Sequence, residues 1–433
     1  NRDENKATSF LLMEKMKEKL KNAKESIDTM INENDNGSLL WENYKLEIPK
    51  TCDVIVIGGG AIGSSIAYAL KQRIFKDFSV VVVEKDPTYA HASTTLSVGG
   101  LRQQFSLQEN IEMSLYGAEF IRNINEHLGI ENEPPIDLCF HPYGYLTLAS
   151  EEGAQILMEN SKLQNFLGAK NILLSIEKLK DMFPWLSTNG IELGCLGLEK
   201  EGWFDPWSLL CAFKKKALSL GAQFIHAEAT GFIQKDVDMD TITHKKLDQL
   251  VVSFHSENWY YADLPICETK TIQFALAVIA AGAFSGKIAR MASVGRGRDL
   301  LQTALPVEPR KRFVYCFHCP DGPGLNTPLT IDPTVFIKLL LWNDMFVQKL
   351  KSAWAGYYEY NTFDKNGIIG QHPHHKNLYF ATGFSGHGIQ HSPAIGRAIC
   401  ELIIDDSFLT INLERFGFER FINMIPVTEV NIF

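Results

Sequence analysis

The run Gly58-Gly59-Gly60-Ala61-Ile62-Gly63 has the spacing of a turn that cradles a pyrophosphate. Gly58 permits the tight turn, Gly60 lets the backbone approach the phosphates, and Gly63 allows a helix to pack closely on a strand. The first helical N–H groups, from Ala61 and Ile62 onward, are the expected donors. Glu84 follows 21 residues after Gly63, where a carboxylate accepts hydrogen bonds from the ribose hydroxyls of an adenosine. This set binds a dinucleotide but does not separate FAD from NAD, which present the same adenosine and pyrophosphate. A second glycine turn, Thr382-Gly383-Phe384-Ser385-Gly386-His387-Gly388, stands near the other end of the chain. It aims a second positive helix end at an anionic group. Reduced flavin carries negative charge near N1 and O2, so FAD is the expected cofactor.

The elements that must position these turns are legible from periodicity. Val54–Ile57 is a β-branched run of the kind found in buried parallel strands. Ala61–Gln72 carries apolar residues at helical spacing, and Val80–Val83 is a second buried strand ending at Glu84. Leu378–Ala381 reads as a strand feeding the second turn, and Ala394–Ile404 as the helix behind it. Between them Tyr145–Ala149 and Phe274–Ala280 read as extended, and Gln155–Phe166 and Pro206–Leu220 as helical. The fold class this predicts is α/β: a Rossmann-type FAD-binding domain built from discontinuous segments, plus a substrate domain around a mainly antiparallel sheet. The expected division gives 51–130, 200–235, 271–300 and 353–425 to the FAD domain and 131–199, 236–270 and 301–352 to the substrate domain. Residues 1–50 form a polar extension, with Leu12, Met16 and Leu20 at helical spacing.

Several blocks resemble the D-amino-acid oxidase and sarcosine oxidase superfamily: the Gly-Phe-Ser-Gly-His-Gly turn, Ser93 through Arg102, Ala280–Ser285, and Glu201–Pro206. The resemblance spans residues 51–425. It implies that Ser93, Ser97, Gly99, Gly100, Arg102, Gln103, Ala281 and Gly282 join Gly58, Gly60, Gly63 and Glu84 around FAD, with Gly383, Phe384, Gly386, His387 and Gly388 at the flavin ring. Phe284 stands where the superfamily usually has Trp. Longer strings, Ser97–Ser106, Leu305–Arg312 and Ser352–Tyr358, resemble one mitochondrial branch of the superfamily. That branch is implicated in assembly of respiratory complex I. The resemblance therefore implies a mitochondrial location, in the matrix or on the matrix face of the inner membrane, with complex I assembly intermediates as partners.

Catalytic candidates are Arg102, His387 and Tyr357. Arg102 reads either as a hydrogen-bonder to flavin or to a substrate carboxylate, or as a surface salt bridge. His387 reads as a proton-transfer or ring-tuning group, or as a structural hydrogen-bonder. Tyr357 and Tyr358 resemble aromatic residues near the flavin, or pack in the core. The small-molecule substrate is not identified by the sequence, and three functions stay open: an oxidoreductase supporting complex I assembly, an amine or amino-acid oxidase or dehydrogenase, and a scaffold in which FAD is structural. No cysteine occurs between Cys319 and Cys400 and no histidine among Ser93–Gln104, so FAD is expected to be noncovalent.

Charge and composition narrow the partners. A net charge of -9 repels a phosphate backbone, which argues against nucleic acid. No uninterrupted apolar run is long enough to span a bilayer, and the stretch Phe336–Trp342, itself broken by Lys338, is far too short, so any membrane association is peripheral. Eight cysteines in 433 residues are too sparse for a disulfide scaffold and read as free thiols. Cys316-Phe317-His318-Cys319 lacks a second pair at ligand spacing, and His372, His374 and His375 read as a polar loop, so no metal is expected. One region departs from the family. Between Ile331 and Ser352 relatives carry a long segment supplying central strands of the substrate-domain sheet, and this chain has only Asp332–Lys351. The shortening reads as a skipped exon or faulty gene model in preference to a working variant, and it predicts an exposed apolar edge.

Overall fold

The computed structural model describes residues 48–239, 242–255, 267–318, 322–324, 326–333 and 349–430. Lys50–Phe433 forms one compact unit. The helical spacing at Leu12–Leu20, the Phe336–Trp342 stretch and Cys319 lie outside the described residues. In chain order the elements are β1 (Thr51–Ile57), α1 (Ala61–Arg73), β2 (Val80–Glu84), α2 (Gln108–Arg122), β3 (Tyr145–Ala149), α3 (Glu151–Phe166), β4 (Asn171–Leu174), β5 (Leu193–Gly197) and α4 (Pro206–Ser219). They continue with β6 (Gln223–His226), β7 (Glu228–Met239), β8 (Ile242–His255), β9 (Cys267–Ile279), β10 (Val307–His318), β11 (Leu329–Ile331), β12 (Lys349–Asn361), β13 (Ile368–Gln371), β14 (Leu378–Thr382) and α5 (Gly388–Asp405).

The central sheet runs β13-β14-β9-β1-β2-β6. Val54, Ile55 and Val56 pair with Val80, Val81 and Val82 on one side and with Leu276, Ala277 and Val278 on the other, all in parallel. β-Branched side chains suit strands buried on both faces, and Val54, Ile55, Val56 and Val82 are fully buried. Helices α1, α2, α4 and α5 pack around this layer, and their apolar faces join one core with β1, β2 and β14. Close helix contact depends on two glycines: a Cβ on Gly396 would stand 2.1 Å from Ser65 Oγ, and one on Gly117 would stand 2.2 Å from the Gln390 carbonyl oxygen.

Three elements differ from the sequence reading. Helix α5 begins at Gly388, six residues before Ala394, although Pro393 lies inside it. A proline removes one helical donor, and the Ser392 hydroxyl donates instead to the Ile389 carbonyl at 2.8 Å. Helix α3 starts at Glu151 rather than Gln155. The third difference concerns 236–270, assigned above to the substrate half. There β7 and β8 form an antiparallel hairpin, and Gln249–His255 pairs with Cys267–Gln273 of β9, within the central sheet. The reason is length: β9 starts well before its pairing with β1 at Thr51↔Gln273, and its overhanging half needs a partner for its ladder groups.

Among the described residues the rest of the chain supplies a four-stranded sheet, β11-β3-β5-β4, the pair β10-β12, and a short pair of Gly100–Leu101 with Gly202–Trp203. β3–β5, β4–β5 and β10–β12 are antiparallel, while β11–β3 is parallel. The end of β12 is anchored by a buried ion pair that the sequence did not announce: Asp364 accepts from Arg420 Nε at 2.7 Å, from Asn361 Nδ2 at 2.7 Å and from the Val427 N–H at 3.1 Å.

Candidate functional site

Both glycine turns, the end of β2 and the end of β9 lie at the carboxyl edge of the parallel strands, where open α/β sheets bind ligands. Gly58 has φ +105°, and a Cβ there would stand 2.3 Å from the Ala280 carbonyl oxygen, so the first turn is locked against the end of β9. Gly63 is as tight, with 1.9 Å from a Cβ position to the Gly58 carbonyl oxygen. Gly60 is different: a Cβ there would meet only the Thr94 hydroxyl, at 3.3 Å. The N-cap residues of α1 and α5, Gly60 and His387, make no side-chain capping bond. Thr94 Oγ1 accepts from the Ala61 N–H at 3.2 Å, while Ile62 packs against the core.

Glu84 accepts from the Gly59 N–H at 2.7 Å and from the Asp86 N–H at 2.9 Å. Beside them Tyr89 Oη is buried and has no hydrogen-bond partner among the described residues. A buried hydroxyl without a partner is costly. Its place beside Gly59 and Glu84 fits the adenosine end of FAD, whose ribose and phosphates carry matching polar atoms. Glu84→Ala is therefore expected to weaken FAD by roughly 1.5–3 kcal/mol, about ten- to a hundredfold. A fluorescence titration giving equal affinities would remove Glu84 from the site.

The segments expected around the flavin come from distant parts of the chain and meet in the structure. Ser93 Oγ donates to the Tyr357 carbonyl at 2.6 Å, and Trp354 Nε1 donates to the Leu96 carbonyl at 3.2 Å. Thus β12 lies along the Ser93–Ser97 loop, and Ser97 Oγ accepts from the Gly99 N–H at 3.1 Å. Gly99 takes φ +70° against the Phe204 carbonyl, and Gly100 faces the Tyr145 hydroxyl. Ala281 and Gly282 close the end of β9, Gly282 with φ +51°. In the last loop Gly383 and Gly386 take φ +75° and +99°. The Ser385 N–H donates to the Glu359 carbonyl at 2.9 Å, which ties this loop to β12.

Arg102 is buried, not part of a surface salt bridge. Its guanidinium lies 4.7 Å from the Phe105 ring centroid, donates to the Gln104 carbonyl at 3.2 Å and stands 3.2 Å from His387 Nε2. A guanidinium only donates, so His387 Nε2 accepts and its proton sits on Nδ1. Burial pulls the Arg102 pKa below the usual arginine range. Gln103 is held by the segment before Trp203: its N–H donates to Glu201 at 2.6 Å and its side chain to the Lys200 carbonyl at 2.9 Å. Phe384 is a core side chain, packed against Gly367 and Gly388. Tyr357 is half exposed, and Tyr358 lies under the Arg312 guanidinium at 5.1 Å. Phe284, which stands where the superfamily usually has Trp, is exposed.

Sequence reasoning missed three buried groups here. Glu201, pushed up to about 7 by burial, accepts from Gln103 and Gln104. His391, pulled down to about 3 by burial and by Arg102, pairs with Ser114 Oγ at 2.9 Å. Glu359, also pushed up to about 7 by burial, sits between the Gly282 and Gly388 turns. A buried acid inside Glu-Gly-Trp or Tyr-Glu-Tyr gives no periodic signal. His372 and His375 are buried rather than in a polar loop: His372 Nδ1 accepts from the His374 and His375 N–H groups, and His375 Nε2 faces the Ala292 carbonyl at 2.9 Å. Among the described residues no three metal-ligating side chains converge, and no helix is long and apolar enough to cross a membrane.

The family model described as FAD dependent oxidoreductase matches residues 53–347 and 337–402. This chain belongs to that family. It is 45% identical to FAD-dependent oxidoreductase domain-containing protein 1 of Xenopus laevis, over 89% of this chain and 85% of that protein. It is 46% identical to the protein of the same name from Bos taurus, over 86% of this chain and 85% of that one. The Xenopus laevis alignment extends over 434 positions but takes in 89% of these 433 residues, about 385, so about 49 positions have a residue in the relative only. Among solved structures, L-proline dehydrogenase from P. horikoshii superposes with a TM-score of 0.68 at 23% identity, covering 88% of this chain and all of that one. The shared fold is thus that of FAD enzymes, and FAD is the cofactor of this chain. Bound there, FAD would supply a two-electron acceptor; the two glycine turns, Glu84 and the Ser93–Ser97 loop are the residues that would hold it.

Proposed function

We propose that the chain is a mitochondrial FAD-dependent oxidoreductase that takes a hydride from a carbon bearing nitrogen. On this reading it works at the matrix side of the inner membrane, in support of complex I assembly, with assembly intermediates of that complex as partners. The observation that carries the chemical part is the convergence of Arg102 and His387 with both glycine turns and β12 around one cradle. A neutral imidazole held by a guanidinium is a fixed acceptor, suited to orienting a reacting group. L-proline dehydrogenase, which shares the fold, is by its name an enzyme acting beside a C–N bond. The mitochondrial and complex I parts rest on the resemblance of Ser97–Ser106, Leu305–Arg312 and Ser352–Tyr358.

The test is anaerobic mixing of the purified holoprotein with a panel of primary, secondary and tertiary amines while following flavin bleaching. At least one amine is expected to bleach the flavin, with turnover when oxygen or an artificial acceptor is added. Flavin that dithionite reduces but no amine does would favour the scaffold reading. Fractionation of mitochondria and affinity capture of complex I subunits test location and partners.

A further inference from the structure

The segment Gln103–Leu107 lies in no strand or helix, so no ladder serves its N–H groups. Two carboxylates from distant parts of the chain take their place. Glu201 accepts the Gln103 N–H through one oxygen, as described above, and Gln104 Nε2 through the other at 2.9 Å. Glu429 holds the opposite end. Its Oε2 accepts from the Ser106 N–H at 2.6 Å, and its Oε1 from the Leu107 N–H at 3.3 Å and from Asn110 Nδ2 at 2.5 Å. Leu107 is the N-cap of α2 and makes no side-chain capping bond, so the carboxylate also meets the positive end of that helix. The segment that carries Glu429 is itself pinned. The Val427 carbonyl accepts from Asn366 Nδ2 at 2.6 Å, and the Val430 N–H donates to Ser106 Oγ at 2.7 Å.

Between the two carboxylates lie the groups that aim Arg102. Its guanidinium rests on the Phe105 ring, donates to the Gln104 carbonyl and reaches His387, and Gln104 and Phe105 are the residues held from both sides. The Arg102 backbone is fixed separately, by Gln390 Oε1 and Nε2. What the two carboxylates govern is therefore the direction of the side chain. The charges follow the same arrangement, because a buried guanidinium needs negative charge within reach. Burial opposes the Arg102 charge, and Tyr145, Glu429 and Glu201 favour it. We infer that Glu429 is a positioning residue, which with Glu201 clamps Gln103–Leu107 and so fixes the Arg102 guanidinium against His387 in the flavin cradle. This rests on the placing of Arg102 in the cradle by the reading above, and adds to it the distant residue that keeps it there.

Reduced flavin carries negative charge near N1 and O2, which a cation held beside it stabilises. The test measures, on purified holoproteins, the equilibrium constant for two-electron reduction of the flavin against a redox dye of known potential. In Glu429→Ala that constant is expected to fall at least about threefold, because Arg102 and Glu429 belong to one network and the released guanidinium turns away from the cradle. Loss of the anion alone would act the other way, since removing negative charge favours reduced flavin. That opposing effect is small, because Glu429 is half-buried and solvent screens it. The sign of the change therefore separates positioning from charge. Arg102→Gln should lower the constant further, and adding Glu429→Ala to it should change nothing more. Glu429→Gln keeps one acceptor for the Ser106 N–H and should lower the constant by less, and it carries the test if Glu429→Ala is recovered without flavin. A lowered melting temperature with the constant unchanged or raised would make Glu429 a structural cap only and overturn the proposal, as would additive effects in the double variant. Failure of the site reading would look different: Arg102→Gln itself would leave the constant unchanged, which takes Arg102 away from the flavin and the proposal with it.

Discussion

Gly60→Val is expected to yield a folded protein without FAD. Gly60 is the N-cap of α1 with φ -63° and ψ -171°, extended backbone that any residue adopts. The space its side chain would enter holds, on the protein side, only the Thr94 hydroxyl at 3.3 Å, and a hydroxyl can rotate aside. Nothing in the fold therefore forbids valine. What the branched side chain does block is the approach of a pyrophosphate to the start of α1. A loss of more than about a hundredfold in affinity, roughly 3 kcal/mol, is expected. Gel-filtered Gly60→Val should show no flavin absorbance yet keep the far-ultraviolet circular dichroism of wild type. Gly63→Ala supplies the contrast. Its Cβ would stand 1.9 Å from the Gly58 carbonyl oxygen, so that variant should lose folded protein along with cofactor. Normal flavin content in Gly60→Val would mean that the phosphates do not approach this turn.

That contrast also shows how much was legible in the sequence. β1, the glycine turn, α1, β2 and Glu84 are contiguous, and each follows from a local pattern: β-branched runs, glycine spacing, and an acid at a strand end. The second turn was legible for the same reason, but the start of α5 was not, because Pro393 reads as a helix breaker unless the Ser392 hydroxyl takes over the Ile389 carbonyl. Groups whose meaning is a distant contact were invisible. Glu201 matters through the Gln103 N–H, 98 residues away, and Asp364 through Arg420, 56 residues away. Gln103 and Phe384 were assigned to the cofactor by block resemblance, and the structure gives them partners within the protein. The attachment of β8 to β9 was missed because nothing in either strand's own sequence tells which sheet it joins.

Restoring a family-length segment between Ile331 and Ser352 is expected to raise the melting temperature and the flavin content. Roughly 49 positions of the Xenopus laevis relative have no counterpart here, and the family model meets this chain in two pieces that overlap at 337–347. The interruption falls between β11, which has only three residues, and β12. Around it, among the described residues, β10 and β12 form a sheet of two strands, a size that is marginal in water unless further strands or helices cover it. Phe313, Tyr315 and Trp354 are 56%, 46% and 38% exposed on that pair, which also makes it a template for aggregation. Covering the exposed parts of a few such rings stabilises by on the order of 1 kcal/mol each, and each kcal/mol moves the melting temperature of a large domain by roughly 2–4 °C. A gain of at least about 5 °C is therefore expected. The FAD cradle should be present in both forms, since Gly58–Gly63 follows β1 and opens α1 while Gly383–Gly388 follows β14 and opens α5, all elements outside the short connection. What should change is the persistence of β12, and through the Ser93, Ser385 and Glu359 contacts the affinity for flavin. Differential scanning fluorimetry and flavin-to-protein ratios on the two proteins, purified alike, measure both effects. Equal values would mean that β10 and β12 are stable as a pair and that the short connection is self-sufficient.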